Sequence, residues 1–228
     1  VSPARPRPRA ASRRAARVER RATRRRRVRL DIDERRRQLL ELGKRAFAER
    51  AYDDVSIDDI ARAAGISKGL LYHYFPTKRD LYVAGLREIA ADLVAKTNTI
   101  PSDLPPIDRV RAGLDAYLDH VGKQASAYIA LMRGGIGSDP EVIAVIEGTR
   151  GQLIDQILDR AGGTPIAAGA GQLFRLAVRG WIGFVEAVTI EWLADHHGGS
   201  APVGDRDVIR DYLVEMLLAS LRIPLLRK

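Results

Sequence analysis

From Asp33 onward the apolar residues recur at three- and four-residue spacing, and no stretch alternates polar and apolar as a half-buried strand would. The pattern predicts an all-α chain without internal repeats. A first helix is expected over Asp33–Arg50, with Leu39, Leu40, Gly43, Ala46 and Phe47 on one face, after which Tyr52 and Val55 fold back toward it. Ser56, with Asp59 three residues on, has the form of a capping pair for a short second helix, Ile57–Ala64, that turns Ile60, Ala61 and Ala64 inward. Gly65 supplies the left-handed residue that ends it. Ser67 caps a third short helix, which stops by Phe75 because helical geometry is disfavoured before Pro76. Thr77 and Asp80 cap a fourth, Lys78–Lys96, carrying Leu81, Tyr82, Leu86, Ile89 and Leu93.

After a polar, Pro-containing linker, Asn98–Pro106, helices are expected near Ile107–Gln124, Ala125–Arg133, Pro140–Ala161, Ile166–Ala194 and Asp205–Leu221. The breaks fall at Gly134-Gly135, Gly162-Gly163 and His196–Gly204, where Gly, Ser and Pro gather. Ile166–Ala194 is apolar nearly all round and must be covered on several sides. Its charges, Arg175, Arg179, Glu186 and Glu191, argue against a membrane span. The last helix aligns Ile209, Tyr212, Leu213, Met216, Leu217 and Leu221 in one stripe.

Charge divides the chain differently. Residues 1–30 hold thirteen arginines and one glutamate, so the net charge of +9 is an arginine-rich arm on a slightly acidic body. The arm has no apolar core to fold around and is expected to be disordered. Such arms bind polyanions by releasing counterions. No apolar segment of the kind that follows the charges in a secretory leader appears, and with no cysteine there is no thiol chemistry, so a cytoplasmic protein is expected. An enzyme is not expected. There is no Gly-x-Ser-x-Gly elbow and no P-loop, and Gly134-Gly135-Ile136-Gly137 follows a helix instead of a strand. His196-His197 beside Asp195 lacks further ligands for a metal, and no cofactor is implied.

The chemistry therefore lies in residues 56–75, two short helices joined by a glycine turn. Ala61 and Ala64 allow close packing, Ile66 fills the gap, and Leu71 and Phe75 anchor the second helix. Its other face shows Lys68, Gly69, Tyr72, His73 and Tyr74, whose side chains can bond phosphates and base edges, while Ser67 caps the end nearest the phosphates. This is the form of a helix-turn-helix. The run from Ser56 to Leu81 resembles the DNA-binding motif of the TetR family of regulators, departing from it in Ser56 and Leu70, where the family often has threonine. The resemblance implies phosphate contacts from Ser56, Tyr72 and Lys78 and base contacts from Lys68, Gly69, His73 and Tyr74. Beyond the arm over 1–30, it implies a helix-turn-helix domain over 31–80 and a ligand-binding and dimerisation domain over 81–228, joined through the fourth helix. It also implies a homodimer through the last two helices on a double-stranded operator. The effector cavity would hold an apolar small molecule between helices five to eight, lined by Tyr117, His120, Tyr128, Met132, Phe174, Trp181 and Phe184. Arg133, Arg175 or Glu186 would set its polarity, or Arg175 and Arg179 would pair with Glu186 or Glu191 at the interface. The expected function is a repressor released by its effector. A TetR-type activator, or a non-specific architectural DNA-binding protein driven by the arm, stays open beside it.

Overall fold

The computed structural model describes residues 32–133, 135–161, 165–198 and 204–221, which form helices and short turns with no strand among them. The arginine-rich arm and the chain after Leu221 lie outside the described residues. The helices are α1 (32–49), α2 (Ile57–Ala63), α3 (Lys68–Tyr74), α4 (Lys78–Asn98), α5 (Pro106–Gly122), α6 (Ala125–Arg133), α7 (Pro140–Ala161), α8 (Pro165–Gly198) and α9 (Arg206–Leu221). Among the described residues no helix is long and apolar enough to cross a membrane.

Local chemistry places the first four helices. The Ser56 hydroxyl accepts from the Asp59 N–H and the Ser67 hydroxyl from the Leu70 N–H. α2 ends as a Schellman turn, in which Ile66 N–H bonds the Ala61 carbonyl and Gly65 N–H bonds that of Arg62. Gly65 sits at φ +66°, which a side chain would strain. Thr77 and Asp80 form a reciprocal capping box at the start of α4. These four helices close on Leu39, Leu40, Phe47, Ile60, Leu71, Phe75 and Leu81, all buried. α4 crosses α1 closely at Gly43, where an added Cβ would come within 3.0 Å of Leu81. Arg36 stacks its guanidinium 4.6 Å from the Phe75 ring centre.

A second core joins α5, α7, α8 and α9 around Leu114, Ile154, Phe174, Val178, Trp181 and Leu213. The buried Trp181 indole donates to the Leu213 carbonyl at 2.9 Å and ties α8 to α9. Arg206 and Arg210 on α9 pair with Asp115 on α5. α4 belongs to both bodies. Its first turns pack in the helix-turn-helix head, and lower down Thr97 donates to Gln156 on α7 while Gln156 donates to the Val94 carbonyl. At its start, Arg79 holds Asp139 with two bonds of 2.5 and 2.7 Å and reaches Glu141 at 3.1 Å, at the entry to α7.

α8 runs further than the apolar pattern implies. The expected break over His196–Gly204 is a correction, since the helix continues to Gly198; histidines are tolerated in a helix, and the first pair of glycines comes only at Gly198-Gly199. The Trp192 indole donates to the Gly204 carbonyl and anchors the returning chain.

Candidate functional site

α3 is anchored by Leu71 and Phe75, both buried in the head. With 100° per residue, Gly69 and His73 lie nearly opposite Leu71, and Leu70 and Tyr72 flank them. Lys68, Gly69, Leu70 and His73 are exposed, and a Cβ on Gly69 would meet nothing within 4 Å. Tyr72 is half-buried with its ring against the head core. Tyr74, expected to approach bases, also packs on that core, because it lies only 60° round the helix from Leu71; His73 meets it edge-on at 5.7 Å. Lys68 is engaged by Asp58 at 2.8 Å, and this carboxylate raises the pKa of the lysine. Lys78 donates to the Asp53 carbonyl at 3.1 Å and lies over the Tyr52 ring. Both contacts are on the surface, where an ammonium exchanges partners at little cost. Ser56 and Ser67 spend their oxygens on their caps and keep their O–H protons available.

The second feature is a cavity of about 400 Å³ enclosed by α4 to α9. Its lining along α5 runs from Pro106 to Val121 and along α7 from Val145 to Arg160, about 22 Å of helix in each case. The cavity is therefore elongated along these helices. Of the residues expected to line it, Tyr117, His120, Tyr128, Met132, Phe174 and Trp181 do so. Phe184 does not. Val178, Ile182 and Val185 face the cavity at helical spacing, and Phe184, 100° away from Val185, turns toward α9 to meet Tyr212 at 5.9 Å.

The walls are apolar, aliphatic and aromatic, apart from a few polar groups. The Tyr117 and Tyr128 hydroxyls bond each other at 2.6 Å, and burial pushes both phenols well above their usual range. Arg150 clasps Glu186 through two bonds of 2.8 and 2.5 Å, with the side chains only 17% and 15% exposed. Glu186 thus enters the cavity wall as one half of a neutralised pair. His120 has Lys96 3.3 Å from Nδ1, and burial first, then that cation, lowers its pKa. At the opposite end Arg109 donates to the carbonyls of Ser102 and Arg160, and Arg160 to that of Thr97. Among the described residues neither guanidinium takes part in an ion pair.

Three expectations for the charges change. Arg175 lies outside the cavity lining and pairs with Asp155, and Arg179 pairs with Glu147, so both bind α8 to α7 and neither meets Glu186 or Glu191. Arg133 is the partner of Glu191 and is absent from the cavity lining. Arg150, Arg109 and Arg160 were not anticipated, although Arg150 and Arg160 interrupt the apolar stripe Ile146, Leu153 and Ile157 on α7, and a cation in such a stripe marks a polar group inside.

Comparison with known proteins places this geometry. Residues 39–84 match the family model for bacterial regulatory proteins of the tetR family, and residues 106–221 match that for the tetracyclin repressor-like C-terminal domain. The chain is 30% identical over 132 residues to the HTH-type transcriptional activator FasR of Mycolicibacterium smegmatis, covering 58% of this chain and 60% of that protein. It is 36% identical over 86 residues to the HTH-type transcriptional repressor KstR2 of Mycobacterium tuberculosis, covering 37% of this chain and 43% of that protein. The aligned parts thus span less than two thirds of these relatives. A crystal structure of a tetR-family transcriptional regulator from Streptomyces coelicolor superposes with a TM-score of 0.72 at 33% identity, over 82% of this chain and 80% of the other. With a matching head, a matching helical body and the two joined by one continuous helix, the chain belongs to the tetR family of bacterial regulatory proteins.

Proposed function

We propose that this protein is a dimeric transcriptional repressor whose two α3 helices read a palindromic operator, and that an elongated, largely apolar small molecule in the α4–α9 cavity releases it. The observation that carries the reading is the position of α4. Its first turn belongs to the DNA-binding head, and its Leu86, Ile89, Leu93 and Thr97 form a wall of the cavity. A molecule that widens the cavity has to move the helix that carries the head. The dimer reading rests on an apolar face that is left exposed among the described residues. Leu173 and Leu176 on α8 and Val208, Tyr212 and Met216 on α9 are all exposed, and they recur at three- and four-residue spacing. A two-fold axis across that face presents two reading heads to half-sites about one helical turn apart.

The cavity's length supports a linear molecule over a compact one, and its apolar walls support a largely apolar body. Arg109 and Arg160, which pair with no carboxylate among the described residues, support an anionic group at the end they occupy. Release takes a differential affinity of the two conformations for the ligand of about 5.5 kcal/mol to go from nearly all competent to nearly all incompetent. By linkage, operator and effector weaken each other by the same factor. Activation instead of repression is the second reading, favoured by the likeness to FasR, which is named an activator. Either way the protein acts where the chromosome is, in the bacterial cytoplasm.

The test is to select an operator from random duplex DNA and titrate it by fluorescence anisotropy with straight-chain carboxylates of graded length, their thioesters, and polycyclic neutral lipids. The expected result is a symmetric consensus, released by the linear anions over a limited range of lengths. A consensus that none of them releases would remove the effector reading. A flat selection would remove sequence-specific regulation. In vitro transcription from the selected site then settles the sign.

A further inference from the structure

Leu70 is the residue on the reading face that none of the roles above uses. It is 41% exposed, while its neighbour Leu71 is fully buried and anchors α3. Five of the other exposed large apolar side chains cluster on the α8–α9 face, whereas Leu70 stands at the side of the reading face of α3, next to His73. It lies 60° from His73 and 100° from Gly69 round the helix. Among the described residues, Leu70 belongs neither to the buried core of the head nor to the apolar side chains packed against it. Gly69 leaves the adjoining surface open, so the α3 backbone can come close to whatever the face meets.

We infer that Leu70 is a specificity-determining residue that packs on the C5-methyl group of a thymine in each operator half-site. The inference rests on α3 being the reading helix, as proposed above. In the major groove the thymine methyl is the one apolar group among hydrogen-bonding edges, so an isobutyl side chain without donor or acceptor finds its match only there. Set over a guanine or adenine edge, Leu70 would cover N7 without replacing its bond to water, which works against that base. Lys68 and His73 then read polar edges beside it.

The experiment replaces each thymine of the selected operator in turn by deoxyuridine, which removes the methyl and leaves every hydrogen-bonding group. Both the wild-type protein and Leu70→Ala are titrated. One symmetry-related pair of substitutions is expected to weaken wild-type binding by about fourfold for each half-site, the worth of one buried methyl. Leu70→Ala is expected to bind the thymine operator at that weakened level and to be indifferent to the same pair. Because the side chain is exposed and alanine favours helix, circular dichroism and thermal unfolding of the variant should match the wild type. A wild-type protein insensitive to every deoxyuridine, a half-site with no thymine, or a Leu70→Ala protein that keeps the full penalty would each overturn the inference while leaving sequence-specific reading intact. A flat selection by the wild type would overturn both.

Discussion

His120 is the cavity residue whose charge is most exposed to small changes of pH. It sits between α4 and α5, with Lys96 against Nδ1, Lys123 adding to the cation field, and Asp92 and the Ile89 main chain opposing it. Burial and Lys96 prevail, and the imidazole is held neutral below its ordinary value of 6.5. The unfolded chain therefore takes up a proton near that pH while the folded chain does not. The stability associated with neutral His120 is complete above about pH 6.5 and is lost as pH falls toward the lowered value. His120→Gln keeps the polar volume and removes the proton, so the dependence of the unfolding temperature on pH between about 5 and 7 is expected to flatten. An unchanged slope in calorimetric scans would place the titration elsewhere. At this scale much of the site was legible beforehand. Tyr117, His120, Tyr128 and Met132 line the cavity because aromatic and sulfur side chains in an apolar body have few other places to go. Phe184 has the same chemistry and faces the other way, since its direction depends on the phase of α8, and that phase is set by Trp181 bonding Leu213.

Between elements, the contact with most leverage is the one from Arg79 to Asp139 and Glu141. It ties the first turn of α4 to the entry of α7, directly after the turn that follows α6, and α6 carries cavity residues Tyr128 and Met132. The guanidinium holds the Asp139 carboxyl down to about 2, so the clasp persists at any physiological pH. Arg79→Ala loosens the ligand-free arrangement. Under the two-state switch, the protein still spends nearly all its time DNA-competent, so ligand-free operator affinity barely changes. The small incompetent fraction grows, and apparent effector affinity rises by about two- to fivefold. Effector titrations of the two proteins check this; equal affinities would mean that α4 moves without breaking the clasp. The helix boundaries themselves were legible to within a few residues, because caps, the Gly65 turn and Pro76 act on near neighbours in the chain.

For the whole molecule, the proposed joint action of two heads rests on the apolar face of α8 and α9. Leu176 is 66% exposed in the protomer, the highest of the exposed large apolar side chains. Leu176→Glu places a charge at the centre of the proposed two-fold contact without touching either core. Analytical ultracentrifugation is expected to show a monomer, and operator affinity should fall by about a hundredfold or more as the second half-site no longer binds in concert. Retained dimers would move the interface off this face.

The sequence alone determined the helix-turn-helix, the family resemblance and the existence of an apolar helical body, since each follows from periodicity, caps and turn residues that act over a few positions. Tertiary structure decided what depends on distant segments. Arg150 meets Glu186 across 36 positions and Arg79 meets Asp139 across 60, and nothing local distinguishes those acids from the other carboxylates of the chain. Which side of α8 lines the cavity and which stays exposed in the protomer was likewise not legible, because a helix apolar nearly all round has no pattern of its own, and only its neighbours decide which side they cover.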